Sequence, residues 1–157
     1  LYACMDVMVT PIKIDISTGD VITPEAVEYD YKLMLEERSI HVWSYNLETI
    51  LAEKLQTVMS RGILNTRMRD YYDIYTLMLR YENDIGRDTL KQAFDATCKK
   101  RGTTDLTTQG AQIFDIVMND RELHSLWNAY QKKFIYAGDI AFEAVMKKAI
   151  NLYEIIR

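Results

Sequence analysis

Hydrophobic and polar residues alternate in the first part of the chain. In the stretch IKIDIS, Ile12, Ile14 and Ile16 alternate with polar residues, which is the period-two pattern of a strand with one buried face. Asp15 then points to the polar side of this strand. The stretches EYDYKLML and IHVWSY show similar patterns on either side of the charged turn EERS, and they predict a β-hairpin.

The remaining part of the chain changes to a helical period. From Asn46, a good N-cap, the run NLETILAEKLQTVMSRG has apolar residues three and four positions apart and ends at Gly62, a suitable C-cap. The same spacing predicts a second helix from about Met68 to Tyr81. Further helices are predicted at about 86–100, 108–118, 120–135 and 139–156.

These patterns predict an α+β fold in two parts. Residues 1–45 hold a short strand and a hairpin, and residues 46–157 form a mainly helical bundle. The net charge of −4 gives no overall positive field for nucleic acid, so we expect no specific DNA partner. No apolar run approaches the ~18 residues of a membrane span, and Cys4 and Cys98 show no metal-site or disulfide spacing. We therefore expect a cytoplasmic protein.

Each of the first two predicted helices carries a charge on its apolar face. At about 100° per residue, Lys54 falls between Ile50 and Val58 on the first helix. On the second helix, Asp70 falls within the apolar stripe and Asp73 lies at its edge. Because an isolated buried charge is costly, opposite charges on consecutive helices most simply face each other.

Two interpretations of this pair remain open. In the first, Lys54 and Asp70 form a partly buried ion pair, or Lys54 extends along the apolar stripe to reach water. In the second, the pair lines the floor of a cleft and binds a polyanionic ligand. Arg61, Arg67 and Arg69 would support the second interpretation, because guanidinium groups suit phosphate oxygens.

Three other residues are candidates for chemistry or for structure. Asp15 is either part of the polar face of a sheet or a metal ligand beside the cationic cleft, where Mg²⁺ would be held by carboxylates and phosphates. His41 and His124 have no Ser or Cys partner at an informative spacing, so we expect both to be structural.

The segments KIDISTGDVITP, YNLETILAEKLQTVMSRG and TRMRDYYDIYTL occur in this order, with a hairpin after the first. In that order they resemble the AbiEii-type nucleotidyltransferase toxins of abortive-infection toxin and antitoxin pairs. The resemblance covers about residues 12 to 80. Its most specific blocks are E-x-x-x-A-E-K-L and R-x-[RK]-D-x-x-D-[IL]-Y.

The resemblance implies a DNA polymerase β-like nucleotidyltransferase fold, in which a helical domain closes over the nucleotide. By position, Asp15 matches the strand carboxylate that binds metal. Lys54 matches the lysine of the AEK block, and Asp70 matches the first aspartate of the RD..D block, so both are candidate catalytic residues. We expect the nucleotide to be flanked by Arg61, Arg67, Arg69 and Asp73.

One departure from the family pattern concerns the metal site. The first motif of the family, a Gly-Ser or Gly-Gly turn followed by paired acidic residues, supplies the main Mg²⁺ ligands. This chain has no Gly-Ser, Gly-Gly or Asp-x-Asp sequence, and strand-like sequence begins at Leu1. We therefore expect the chain to be the C-terminal portion of a longer toxin and to be inactive alone.

Two functions follow as expectations. In the full-length protein, an enzyme of phage defence would use Mg²⁺ to transfer a nucleotide from a nucleoside triphosphate to an RNA or protein acceptor, and a cognate antitoxin would neutralise it. The alternative is a helical binding module without chemistry of its own, which recognises the antitoxin or RNA.

Overall fold

Two β-hairpins precede six α-helices in the computed structural model, which describes residues 1–14, 16 and 18–157. Strand β1 (Tyr2–Met5) pairs antiparallel with β2 (Met8–Pro11), and β3 (Val27–Lys32) pairs antiparallel with β4 (Ser39–Ser44). The helices are α1 (Leu47–Arg61), α2 (Met68–Tyr81), α3 (Arg87–Arg101), α4 (Leu106–Met118), α5 (Arg121–Lys133) and α6 (Phe142–Ile156). The predicted α+β class is confirmed.

The predicted hairpin is present as β3 and β4, but the strand predicted over IKIDIS is wrong where the structure describes it. Pairing in the first hairpin ends at Pro11, and Ile12, Ile14 and Ile16 are 45%, 60% and 85% exposed. An alternating pattern produces a buried face only when a second layer packs against it. Asp15 lies outside the described residues, so its predicted place on the polar face stays a prediction.

The core lies entirely within the helical part of the described chain. All buried apolar residues fall between Leu51 and Ile156, whereas both hairpins are exposed along nearly their whole length. Helix α1 packs against α2 and α3, and α2 packs against α6. Among the described residues, we find no helix that combines the length and the apolar character needed to cross a membrane.

Local signals explain where α1 begins and ends. The Asn46 side chain accepts a hydrogen bond from the Thr49 backbone N–H at 3.0 Å, which satisfies a free donor of the first turn. Gly62 ends the helix with a φ of 50°, a value that glycine adopts without steric cost. A short 3-10 turn then leads to α2, so the two helices that carry the predicted charges are neighbours in the chain and in space.

Candidate functional site

The two charges that the sequence predicts to face each other are in contact. Lys54 Nζ lies 3.4 Å from Asp70 Oδ1, which confirms the predicted proximity. It lies 2.7 Å from Asp73 Oδ2. Asp73, which the helical projection places at the edge of the apolar stripe, is thus the nearer partner of the lysine. The position of a residue at the edge of a helical stripe therefore does not show how far its side chain reaches.

Two arginines extend this ion-pair cluster towards solvent. Arg67 Nε is 3.2 Å from Asp70 Oδ2, and Arg69 Nε is 3.9 Å from Asp73 Oδ2. Both arginine side chains are mostly exposed, so each of these outer pairs adds little to stability. Their main effect is to make the cluster positive overall, because three cations surround the two carboxylates.

Asp70 is the most deeply buried member of the cluster, at 5% exposed. Its Oδ2 atom accepts no hydrogen bond among the described residues, since the nearby Arg67 Nε is not aligned to donate one. A buried carboxylate oxygen without a hydrogen-bond partner is costly. Asp70 therefore has an acceptor position that a ligand hydroxyl or a water molecule would fill.

Asp70 is also one of the residues that line a cavity of about 310 Å³. Its volume is close to the lower limit of ordinary ligand pockets. We call it the lysine cavity, and it is lined by Tyr45, Ile50, Glu53, Lys54, Thr57, Arg67, Asp70 and Arg101.

Carboxylates at one side of the lysine cavity modify its charge. Burial raises the pKa of the Glu53 carboxyl above its ordinary value, while the adjacent Arg101 guanidinium opposes the rise and Asp20 adds to it. The Tyr45 hydroxyl donates a hydrogen bond to Asp20 Oδ2 at 2.9 Å, and this bond raises the pKa of Tyr45. The segment before β3 thus reaches the cavity that α1 and α2 build.

The structure places the candidate residues at different points around the site. Lys54 and Asp70 line the lysine cavity, Arg67 lines both this cavity and an adjoining one, and Arg61 lines the adjoining cavity. Arg69 contacts Asp73 but lines neither cavity. Asp15 lies outside the described residues.

Sequence reasoning missed Glu53 and Arg101 as cavity residues. Glu53 precedes Lys54 directly in the AEK block, which is a signal that could have found it. Arg101 ends the basic run Lys99-Lys100-Arg101, which resembles a solvated helix end, and only the packing of α3 on α1 brings it to the site. The two histidines have structural contacts: His41 pairs with Asp30, and the His124 ring contacts the Met118 carbonyl.

The described residues do not by themselves fit a Mg²⁺ site. No group of three or more His, Cys, Asp or Glu side chains in residues 1–14, 16 and 18–157 is arranged to hold a metal ion. Asp70 and Asp73, the two aspartates of the cluster, are already paired with cationic side chains. The cationic lining suits an anion better than a metal ion.

Fold and site together define a helical protein whose exposed hairpins lie N-terminal to a cation-lined cavity of ligand size. The chain belongs to the nucleotidyl transferase AbiEii toxin family of type IV toxin–antitoxin systems, whose family model matches residues 2–148. The resemblance seen in the sequence is thereby confirmed. No curated protein and no solved structure matches the chain.

Proposed function

We propose that the lysine cavity binds the phosphates of a nucleoside triphosphate and that the protein transfers the nucleotidyl group to an acceptor hydroxyl. The observation that carries this proposal is the position of Lys54, held between Asp70 and Asp73 at the wall of a cavity that also presents Arg67 and Arg101. Cations fixed in a partly desolvated cavity stabilise the charge that develops on transferring phosphates.

Lys54 and Asp70 have different roles in this proposal. Lys54 neutralises phosphate charge, and its two carboxylate partners restrict its motion. Asp70 Oδ2, which accepts no hydrogen bond within the described residues, receives a hydroxyl of the acceptor or of the nucleotide ribose. The acceptor oxygen attacks the α-phosphorus, the bond to the leaving pyrophosphate breaks, and the acceptor proton passes to a nearby base.

The finer parts of the proposal rest on family membership. A type IV toxin–antitoxin family makes a cognate antitoxin a plausible partner. We propose RNA or protein as the acceptor, the cytoplasm as the location and phage defence as the role. Mg²⁺, with Asp15 as one ligand, stays a prediction, and so does the division into domains at residue 46.

A non-catalytic binding module is the second candidate function. It is favoured by the pairing of Asp70 and Asp73 with cations, since carboxylates that are paired with cations are poorer metal ligands. In this case the same cationic surface would hold an RNA or an acidic segment of an antitoxin, and no nucleotide would be transferred.

The variant Asp70→Asn distinguishes these functions in the complete natural gene product. Transfer of a labelled nucleoside triphosphate to total RNA or protein should fall by roughly a hundredfold or more if Asp70 orients a reacting group. The melting temperature should change little, because Lys54 keeps Asp73 at 2.7 Å. Asp95→Asn, on the exposed face of α3, is the matched control.

Two results would count against the enzyme. An Asp70→Asn protein that melts normally and transfers nucleotides at the parent rate removes Asp70 from the chemistry. A complete protein that binds an antitoxin or RNA but never transfers a nucleotide supports the module.

A further inference from the structure

A second cavity, of about 370 Å³, adjoins the lysine cavity. The two cavities share Thr57, Arg67 and Arg101, so a ligand that fills one can extend into the other. We call the second one the arginine cavity, and it is lined by Gln56, Thr57, Ser60, Arg61, Arg67, Arg101 and Thr103.

Three arginines line the arginine cavity, and its lining includes no Asp or Glu residue. They come from the end of α1, the entry to α2 and the end of α3. A favourable interaction with helix C-termini explains why Arg61 and Arg101 occur where they do, but it does not explain why the three groups converge. Like charges along one cavity repel each other unless an anion offsets them.

The arginines of this cavity differ in how far they are neutralised. Arg67 and Arg101 each approach one carboxylate that lines the lysine cavity, Asp70 at 3.2 Å and Glu53 at 3.5 Å. Arg61 lies within 4.0 Å of no carboxylate in the part of the chain that the structure describes. The cavity therefore keeps a positive charge that its own lining does not balance.

A buried amide fixes the position of Arg101. Gln56 is 2% exposed, and its Oε1 accepts a hydrogen bond from Arg101 Nη1 at 2.5 Å while its Nε2 donates to Thr103 Oγ1 at 3.0 Å. The Thr57 hydroxyl accepts a second bond from the same Nη1 at 3.2 Å. A guanidinium held in this way loses less entropy on binding an anion.

We propose that Arg61, Arg67 and Arg101 form a phosphate-binding site that takes the terminal phosphates of a nucleoside triphosphate bound at the lysine cavity. The proposal rests on the proposed function and extends it to Arg101, a residue of α3 that lies outside the E-x-x-x-A-E-K-L and R-x-[RK]-D-x-x-D-[IL]-Y blocks. Guanidinium forks match phosphate oxygens, and the shared wall of the two cavities places them where a triphosphate leaving Lys54 would continue. The pyrophosphate product would leave from the same site.

The test is calorimetric titration of the 157-residue chain with inorganic tripolyphosphate, each nucleoside triphosphate and each nucleoside monophosphate. Arg101→Gln and Arg61→Gln should each weaken tripolyphosphate and triphosphate binding at least tenfold, roughly the loss of one hydrogen bond to a charged group. Monophosphate binding should be unchanged. Arg87→Gln, an exposed arginine at the start of the same helix, is the control and should change affinity by less than about twofold.

Several results would overturn the proposal. These are a wild-type chain that does not bind tripolyphosphate, arginine variants that behave like Arg87→Gln, and equal weakening of monophosphate and triphosphate binding. Because Arg101→Gln also removes contacts between α1 and α3, its melting temperature is measured as well. Arg61→Gln removes no ion pair among the described residues, so it provides the test even if Arg101→Gln unfolds.

The outcome also separates this site from the proposed function. Triphosphate binding that depends on Lys54 but not on Arg61 or Arg101 would leave the function standing and remove the arginine site. If tripolyphosphate binding depends on Arg101 and an attached nucleoside adds no affinity, the arginine site is supported. The proposal that the lysine cavity binds a nucleotide is then refuted.

Discussion

The two tryptophans of the chain show how differently its hairpins and its helices are built. Trp43, on β4, is 71% exposed, whereas Trp127, on α5, is 1% exposed and donates a hydrogen bond from Nε1 to the Ile140 carbonyl at 2.8 Å. The helices bury their large side chains against each other, and the hairpins leave theirs in solvent. Stability therefore resides in the helices, and most of the lining of both cavities comes from α1, α2 and α3.

The largest expected effect is the loss of the buried tryptophan. Trp127→Ala should lower the free energy of unfolding by about 3–5 kcal/mol, the usual cost of an aromatic deletion in a core. Trp43→Ala should lower it by no more than about 0.5 kcal/mol, because a surface side chain loses little contact. Urea unfolding followed by far-ultraviolet circular dichroism measures both. Equal losses would mean that the hairpins carry as much of the stability as the helices.

A smaller effect is expected when a lysine is removed from each region. Lys54→Met leaves Asp70 and Asp73 without their shared cation, so it should cost about 2–3 kcal/mol, somewhat less than a fully buried pair. Lys32→Met in β3 removes an exposed charge and should cost less than about 0.5 kcal/mol. Thermal unfolding of both variants makes the comparison. A Lys54→Met protein as stable as the parent would show that the cluster is solvated.

The smallest effect is the pH dependence at Glu53. Burial raises the pKa of its carboxyl in the folded state, so folding favours the protonated form. Stability is then lost as the pH rises through the window between the unfolded pKa and the raised folded pKa. Glu53→Gln should therefore be more favourable relative to the parent at pH 7 than at pH 4, by less than about 1 kcal/mol.

Denaturation at the two pH values measures this difference. Glu28→Gln in β3, an exposed glutamate of the hairpin, is measured beside it as the control. A Glu53→Gln effect that is independent of pH would place Glu53 in contact with water.

Local patterns predicted the helices well, because their signals act within a few residues. The Asn46 cap and Gly62 mark the ends of α1, and α2 covers Met68 to Tyr81 as its spacing predicts. The alternation in IKIDIS predicted a strand that the described residues of this stretch, 12–14 and 16, do not form. This prediction failed because a strand needs a pairing partner and a packing layer, and the local pattern reveals neither of them.

The part of the candidate site that depends on spacing within α1 and α2 was predictable from the sequence, and the part that depends on tertiary packing was not. Lys54 and Asp70 are charges on apolar stripes of consecutive helices, so their contact follows from local spacing and short connection. Arg101 comes from α3 and reaches the site through tertiary packing, which no spacing in the sequence indicates. The nearer approach of Asp73 to Lys54 depends on side-chain reach, which a helical projection does not give.

The central claim is that nucleotide phosphates bind at Lys54 in the helical part, and a pair of charge-neutral double variants tests it most directly. Lys54→Met with Asp73→Asn removes one cation and one anion from the site, and Asp70 keeps Arg67 at 3.2 Å. Lys32→Met with Asp30→Asn makes the same change on the exposed strand β3. Neither alters the net charge of the chain, so a general electrostatic effect is excluded.

Both double variants are titrated calorimetrically with nucleoside triphosphates after their melting temperatures are recorded. We expect the helical double variant to stay folded and to bind at least tenfold more weakly, in keeping with the loss of a charged hydrogen-bond donor to phosphate. The hairpin double variant should bind like the parent. Parent-like affinity of the folded helical double variant, or equal weakening of both, would contradict the claim.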